Sequence, residues 1–187
     1  MKKKKVKGYR CPACRQYRYQ SELSIALKIL QGYYRVTMPS YYSSFKNEII
    51  ESFTNEDMDW ACDDCFQQKR AIPAVPSAIF DGGEPHLAHY DTALTCERCA
   101  VDFTFSKSEK KFWFEGLKFH ADARPKNCVA CRKLVRAEKK DNSRLSELLS
   151  QTEVLTKSEY AEIAAIYDRM GKEEKKRMYE NLVRKHS

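Results

Sequence analysis

Eight cysteines stand in four pairs of one spacing, Cys11-Pro-Ala-Cys14, Cys62-Asp-Asp-Cys65, Cys96-Glu-Arg-Cys99 and Cys128-Val-Ala-Cys131, with none left over. A C-x-x-C turn folds both thiolates onto one side of a tight knuckle. Two knuckles complete a tetrahedral all-sulfur zinc site with Zn–S of about 2.3 Å. Four thiolates fill the coordination sphere and leave no position for water or substrate, which points to a structural metal. Disulfides, redox motifs and iron–sulfur clusters are the competing readings. The basic start, Met1 to Lys7, runs into Gly8-Tyr9-Arg10-Cys11-Pro12 with no apolar h-region, so a secretory signal is not expected. The default is then a reducing, cytoplasmic setting, where paired cysteines serve as metal ligands more often than as disulfides. No βαβ pattern surrounds a pair, as a thioredoxin-like motif needs, and the spacing is not that of the common clusters. The expected cofactors are two Zn2+ ions.

Composition agrees with a metal taking the place of an interior. The 187 residues are 42% hydrophobic but 32% charged, with a mean hydropathy of -0.69, too polar for one large core. Small units with thin cores need metals, disulfides or partners. No apolar run approaches the roughly 18 residues of a membrane span, so no membrane partner is expected.

Sequential pairing would join Cys11, Cys14, Cys62 and Cys65 at one site and Cys96, Cys99, Cys128 and Cys131 at the other. An interleaved cross-brace would join the first pair with the third, and loop-closure entropy separates the two schemes by only about 0.5 kcal/mol. In the second half, Val101, Phe103 and Phe105 alternate, and Phe112, Trp113 and Phe114 follow across a turn with Ser106 and Ser108. That pattern predicts a β-hairpin between two knuckles.

The stretch from Asp91 to Lys133 resembles the "probable zinc-ribbon" family of bacterial domains. The resemblance rests on Leu94-Thr95-Cys96-x-x-Cys99, Phe103-x-Phe105, Glu109, the aromatics at 112–114, Gly116-Leu117 and Pro125-Lys126-x-Cys128-x-x-Cys131-Arg132. Lys110 follows Glu109 where such domains usually carry glutamine, and Ala100 stands where they tend to carry glycine. The resemblance implies a fold and a metal, not an activity. With 96–131 forming one site, the first four cysteines form the other.

The 47 residues between Cys14 and Cys62 are long for a simple hairpin. Leu23, Leu27 and Leu30 predict a short helix over 21–31 stopping at Gly32. Tyr33 to Met38 reads as a strand, Phe45, Ile49 and Phe53 as a second helix, and Trp60-Ala61-Cys62 as a return strand. Tyr33, Tyr34, Tyr41 and Tyr42 either cover a small core or stack on bases. Pro73, Pro76, Pro85 and Gly82-Gly83 mark 71–90 as an irregular connector, with His86 and His89 as solvated loop histidines. Beyond Arg136, Leu145, Leu148 and Leu149 predict one helix. Thr156 and Glu159 form a capping box for a second, Gly171 ends it, and 172–185 forms a third.

The expected fold is therefore a small, metal-stabilised α+β chain: two four-cysteine zinc ribbons of β-hairpin and knuckle type with a C-terminal helical segment. Its parts are a basic disordered arm (1–7), a first ribbon with an α/β insertion (8–70), a linker (71–90), a second ribbon (91–136) and a helical tail (137–187).

Charge is segregated. Residues 1–20 hold eight basic and no acidic side chains, residues 21–95 five and eleven, residues 96–140 twelve and six, and the tail nine of each. Lys2, Lys3, Lys4, Lys5, Lys7, Arg10, Arg15 and Arg18 form a candidate nucleic-acid arm. Arginines beside cysteines have a second explanation, because Zn2+ with four thiolates carries about -2 of charge that wants compensation. No Ser/His/Asp set, carboxylate pair or phosphate loop is discernible, so an enzyme is not expected. The leading expectation is a zinc-binding adaptor for nucleic acid or a nucleoprotein. The alternatives are a protein–protein module using the helical tail and a thiol/zinc redox sensor.

Overall fold

The computed structural model describes residues 8–40, 53, 58–76, 85–151 and 155–185. The chain divides into two compact units, Met1–Lys126 and Asn127–Ser187. The strands form short antiparallel pairs, in an α+β arrangement with helices.

In the first unit, β1 (Gly8–Arg10) pairs with β2 (Tyr17–Tyr19), Gly8 opposite Tyr19 and Arg10 opposite Tyr17. One 3-10 turn (Gln20–Glu22) leads into α1 (Ser24–Thr37). Ala26, Leu30 and Tyr34 fall on the buried face of α1, the i, i+4, i+8 stripe of an amphipathic helix. The predicted stop at Gly32 and strand over Tyr33–Met38 are both corrected. Gly32 has open space around it, and Tyr34 continues the stripe begun by Leu30, so packing outweighs glycine's cost of about 1 kcal/mol. The stop falls at Met38, ahead of Pro39, because the proline ring disfavours helical backbone in the residue before it. Trp60 and Ala61 form no strand. They lead instead to α2 (Asp63–Gln67). Phe45 and Ile49 lie outside the described residues.

The described parts of 71–90, residues 71–76 and 85–90, contain more order than an irregular connector. β3 (Ala71–Pro73) pairs with β4 (Ala88–Tyr90), Ile72 opposite His89. β5 (Thr92–Thr95) then pairs with β6 (Asp102–Phe105), Leu94 opposite Phe103. The alternation at 103 and 105 was a strand, but its partner lies upstream. Ser106 Oγ accepts the Glu109 N–H at 3.2 Å, a cap that starts α3 (Lys107–Lys111) directly after β6. The aromatic run predicted as a strand is one π-helical turn, Phe112–Gly116. The turn buries Phe114 and leaves Phe112 exposed.

Among the described residues of this unit, two apolar clusters form. The larger gathers Tyr9, Leu23, Leu30, Phe53, Trp60 and Leu87 around Cys11, Cys62 and Cys65, with Phe53 edge-on to Trp60 at 5.1 Å. The smaller holds Ala74, Phe105, Phe114 and Ala121.

The second unit is helical: α4 (Val129–Leu149), α5 (Lys157–Arg169) and α6 (Glu173–Lys185). One helix thus crosses 136–137, where the tail was expected to begin. The Thr156–Glu159 capping box is present, Thr156 N donating to Glu159 at 2.7 Å and Glu159 N to Thr156 Oγ1 at 3.3 Å. Gly171 ends α5's turn at φ 68°, a left-handed backbone that glycine adopts without steric cost. Leu145 and Leu148 pack with Ile163, Ile166 and Tyr167. Arg144 grips Glu162 through two 2.8 Å bonds on the rim. No helix among the described residues is long and apolar enough to cross a membrane.

Candidate metal centres

The cysteines gather as Cys11, Cys14, Cys62 and Cys65, and as Cys96, Cys99, Cys128 and Cys131, with the four Sγ atoms of each group within 4.8 Å of one another. That is the sequential grouping, not the cross-brace. None of the eight is joined in a disulfide.

Both groups are built from the same two local devices. The first pair of each sits at a hairpin tip. Cys11 N donates to Gln16 O at 2.9 Å and Arg15 N to Cys11 O at 2.7 Å. Cys96 N donates to Val101 O at 3.0 Å and Ala100 N to Cys96 O at 2.9 Å. Arg15 (φ 61°) and Ala100 (φ 56°), each directly after the second cysteine, are left-handed. A side chain pays about 1–2 kcal/mol for that backbone, which explains why glycine suits the place held by Ala100. The second pair of each group starts a helix. Cys62 and Cys128 are extended N-caps of α2 and α4, with ψ of 161° and 165°, and Cys65 and Cys131 lie one turn in on the same face. Helix N–H groups and the positive end of the macrodipole favour thiolate there. Each last pair therefore opens a helix where the ribbon expectation put a second knuckle.

The first group fits a tetrahedral divalent ion. Sulfurs about 2.3 Å from zinc stand about 3.8 Å apart, and Cys14 Sγ lies 3.9 Å from Cys62 Sγ, far beyond a disulfide. Burial pushes the Cys11 thiol up to about 11, and burial likewise raises Cys65. Burial opposes ionisation of Cys14 too, but the Gln16 backbone N–H, the Cys11 and Cys65 sulfurs and Arg18 bring it down to about 7. Enclosed thiols of this kind ionise together only around a cation. Cys62 N adds a 3.3 Å bond to Cys11 Sγ.

Charge around this group is arranged by residues that the sequence did not single out together. Arg18 Nη2 reaches Cys14 Sγ at 4.0 Å and Asp64 at 3.2 Å, and its Nη1 donates to Glu22 at 3.0 Å. Arg18 is thus occupied at the sulfur. Arg10 and Arg15 are exposed, Arg10 Nε donating to Arg15 O at 3.1 Å. Asp63 accepts from Ser24 N and Ile25 N, both at 2.9 Å, so it caps α1 from 39 residues away. Lys2, Lys3, Lys4, Lys5 and Lys7 lie outside the described residues. Of the four tyrosines, Tyr34 is core and Tyr33 packs against it; Tyr41 and Tyr42 are outside the described residues.

The histidines correct an expectation. His86 and His89 are buried, not solvated. His86 Nδ1 lies 3.1 Å from Asp59 and His89 Nε2 2.9 Å from Glu115. Tyr90 donates its hydroxyl to Asp59 at 2.5 Å. Buried Lys110 stands 3.7 Å from Asp59 and 4.4 Å from the Tyr90 ring centroid. Burial works against the Asp59 carboxylate, but the His86 hydrogen bond and the Lys110 charge hold it well below the usual range. Burial draws His89 below the ordinary histidine value, so its neutral ring donates to Glu115. The partners sit 26 and 27 residues away in the chain, beyond any local pattern.

A family model described as "Probable treble clef domain" matches residues 90–140. It spans the second hairpin, its cysteine group and the start of α4, and it supports zinc binding by this part of the chain. No match was found among curated proteins or solved structures.

Proposed function

We propose that the chain is a zinc-stabilised, non-catalytic adaptor that binds nucleic acid, or a nucleoprotein, through its cationic N-terminal stretch. Each cysteine group holds one Zn2+, with Cys11, Cys14, Cys62 and Cys65 as one ligand set and Cys96, Cys99, Cys128 and Cys131 as the other. The observation that carries the metal is the pair of sulfur groups, each within 4.8 Å. The ion supplies cross-linking and charge, and four thiolates exclude substrate from it. The nucleic-acid part rests on charge: eight basic and no acidic residues in 1–20, while the acidic side chains nearest the first group are engaged with Arg18 or with the start of α1.

Titrating zinc-loaded protein into labelled RNA and DNA oligonucleotides over about 50 to 200 mM salt tests this. Neutralised phosphates release counterions, so log affinity falls steeply with log salt. Absence of binding at the lowest salt rejects the nucleic-acid reading and leaves the zinc reading intact. A second reading, a thiol/zinc redox sensor, has one observation in its favour: Cys99 is exposed. Peroxide at low dose would then release one zinc as two thiolates lose two electrons to form a disulfide.

A further inference from the structure

The outer face of the first hairpin is unlike the rest of its surroundings. Strand side chains alternate, so β1 and β2 present two faces. One carries Tyr9, which is buried with Phe53, and Arg18, which is held at the Cys14 sulfur. The other carries Gly8, Arg10, Tyr17 and Tyr19. Tyr17 is 76% exposed and Tyr19 56%, two large rings set on alternate residues with neither recruited into the core. Arg10 is opposite Tyr17, and Gly8 is opposite Tyr19. A Cβ on Gly8 would lie 3.8 Å from the Tyr17 ring, so the ring leans over a strand position that has no side chain of its own.

From these placements we infer that Tyr17 and Tyr19 form a stacking platform for single-stranded nucleic acid, with Arg10 beside them contacting its phosphates. The inference deepens the nucleic-acid reading above and rests on it. Alternate strand residues are about 6.6 Å apart, twice the roughly 3.4 Å between neighbouring bases in a duplex. Two rings so spaced suit bases that have come unstacked from each other, which a single strand offers and a duplex does not. Aromatic faces beside positive charge are the chemistry by which proteins hold single strands without reading sequence. Arg10 stands opposite Tyr17, and among the charged residues of 1–20 all are basic. RNA and DNA share this chemistry, and 2′-hydroxyl discrimination is not part of the inference.

The test compares wild-type zinc-loaded full chain with a Tyr17→Thr/Tyr19→Thr variant, which keeps strand-forming side chains, and a Tyr17→Phe/Tyr19→Phe variant, which keeps the rings. Each is titrated against a short pyrimidine single strand, as RNA and as DNA, and against the corresponding duplex. Loss of two stacked bases predicts about a 30-fold weaker single-strand affinity for the threonine variant. Its salt slope and duplex affinity should stay unchanged, and the phenylalanine variant should bind within about threefold of wild type. Unchanged zinc content shows that the hairpin is intact. If the double variant loses zinc, Tyr17→Thr alone serves, with about a fivefold loss expected. Single-strand affinity equal to wild type in the threonine variant overturns the platform while leaving the charge-based reading standing. Failure of wild type to bind any strand at low salt removes both.

Discussion

The two cysteine groups share one construction but not one environment. Cys11, Cys62 and Cys65 are fully enclosed by the Trp60–Leu30–Leu87 cluster, whereas the second group has Cys99 exposed and Cys128 only half-buried. The same hairpin tip and helix start therefore serve two ends. The first sulfur group is part of an interior, and apolar side chains meet on its walls. The second stands nearer water, and none of its cysteines belongs to the small cluster of Phe105 and Phe114. A metal in the first would be a component of the core, and one in the second a clasp.

The largest expected effect separates the two by mutation. Zinc contributes roughly 10–16 kcal/mol in finger peptides, as much as the whole stability of an ordinary domain. Cys65→Ser should therefore abolish cooperative folding around Trp60. Cys99→Ser should loosen the hairpin near Trp113 and leave the Trp60 signal and the helical dichroism in place. The chain has two tryptophans, one in each region, so single Trp→Phe backgrounds report each separately by fluorescence. Equal loss of both signals in both mutants would erase the distinction between core and clasp.

Chemical access should follow exposure. Under reducing conditions without chelator, thiol alkylation read by peptide mass mapping should modify Cys99 first and Cys62 and Cys65 last. Modification of the buried pair ahead of Cys99 would contradict the enclosure of the first group.

The polar network around Asp59 sharpens the comparison next, because it braces the first group's core. Asp59→Ala leaves Lys110 buried without its carboxylate and should cost about 3–5 kcal/mol in denaturant unfolding followed at Trp60. Acid should have a related effect. His89 is held below its ordinary value of 6.5, so the unfolded chain takes up a proton that the folded one refuses. Stability then declines as pH falls below about 6.5. Asp59, held below 3.8, contributes fully above that value, and its share is lost as pH falls through and below it. A His89→Gln variant should flatten the upper part of this profile, and an unchanged slope would show that His89 is not the group responsible.

The smallest effect concerns what the groups share. Replacing left-handed Ala100 or Arg15 with glycine should stabilise by about 1 kcal/mol, read as a shift in the zinc-loaded Tm. No gain at either position would mean that the two hairpin tips are not equivalent.

The cysteine spacing made the four ligand pairs legible, since C-x-x-C is a local device and the chain held no spare thiol, but how the pairs join into two groups was legible only through the resemblance over 91–133. The capping box at Thr156 and the stop at Gly171 were legible for the same reason. Short apolar runs were not. Tyr33 to Met38 and Phe112 to Phe114 carry strand-forming residues, but Tyr34 extends a helical stripe, and the cap at Ser106 commits the chain to a helical turn before the aromatics arrive. The buried histidines were hidden for another reason. Their carboxylates are distant in sequence, and only tertiary packing brings Asp59 and Glu115 to them. The helix start at Cys128 lay between these cases: its ligands were visible, but the long helix after them was read as beginning several residues later.

Metal stoichiometry tests the account most directly. A native mass spectrum of the purified, reduced full chain should show two zinc ions per polypeptide, with one lost well before the other as a chelator is raised. A chain that is folded and carries no bound metal under those conditions would contradict it.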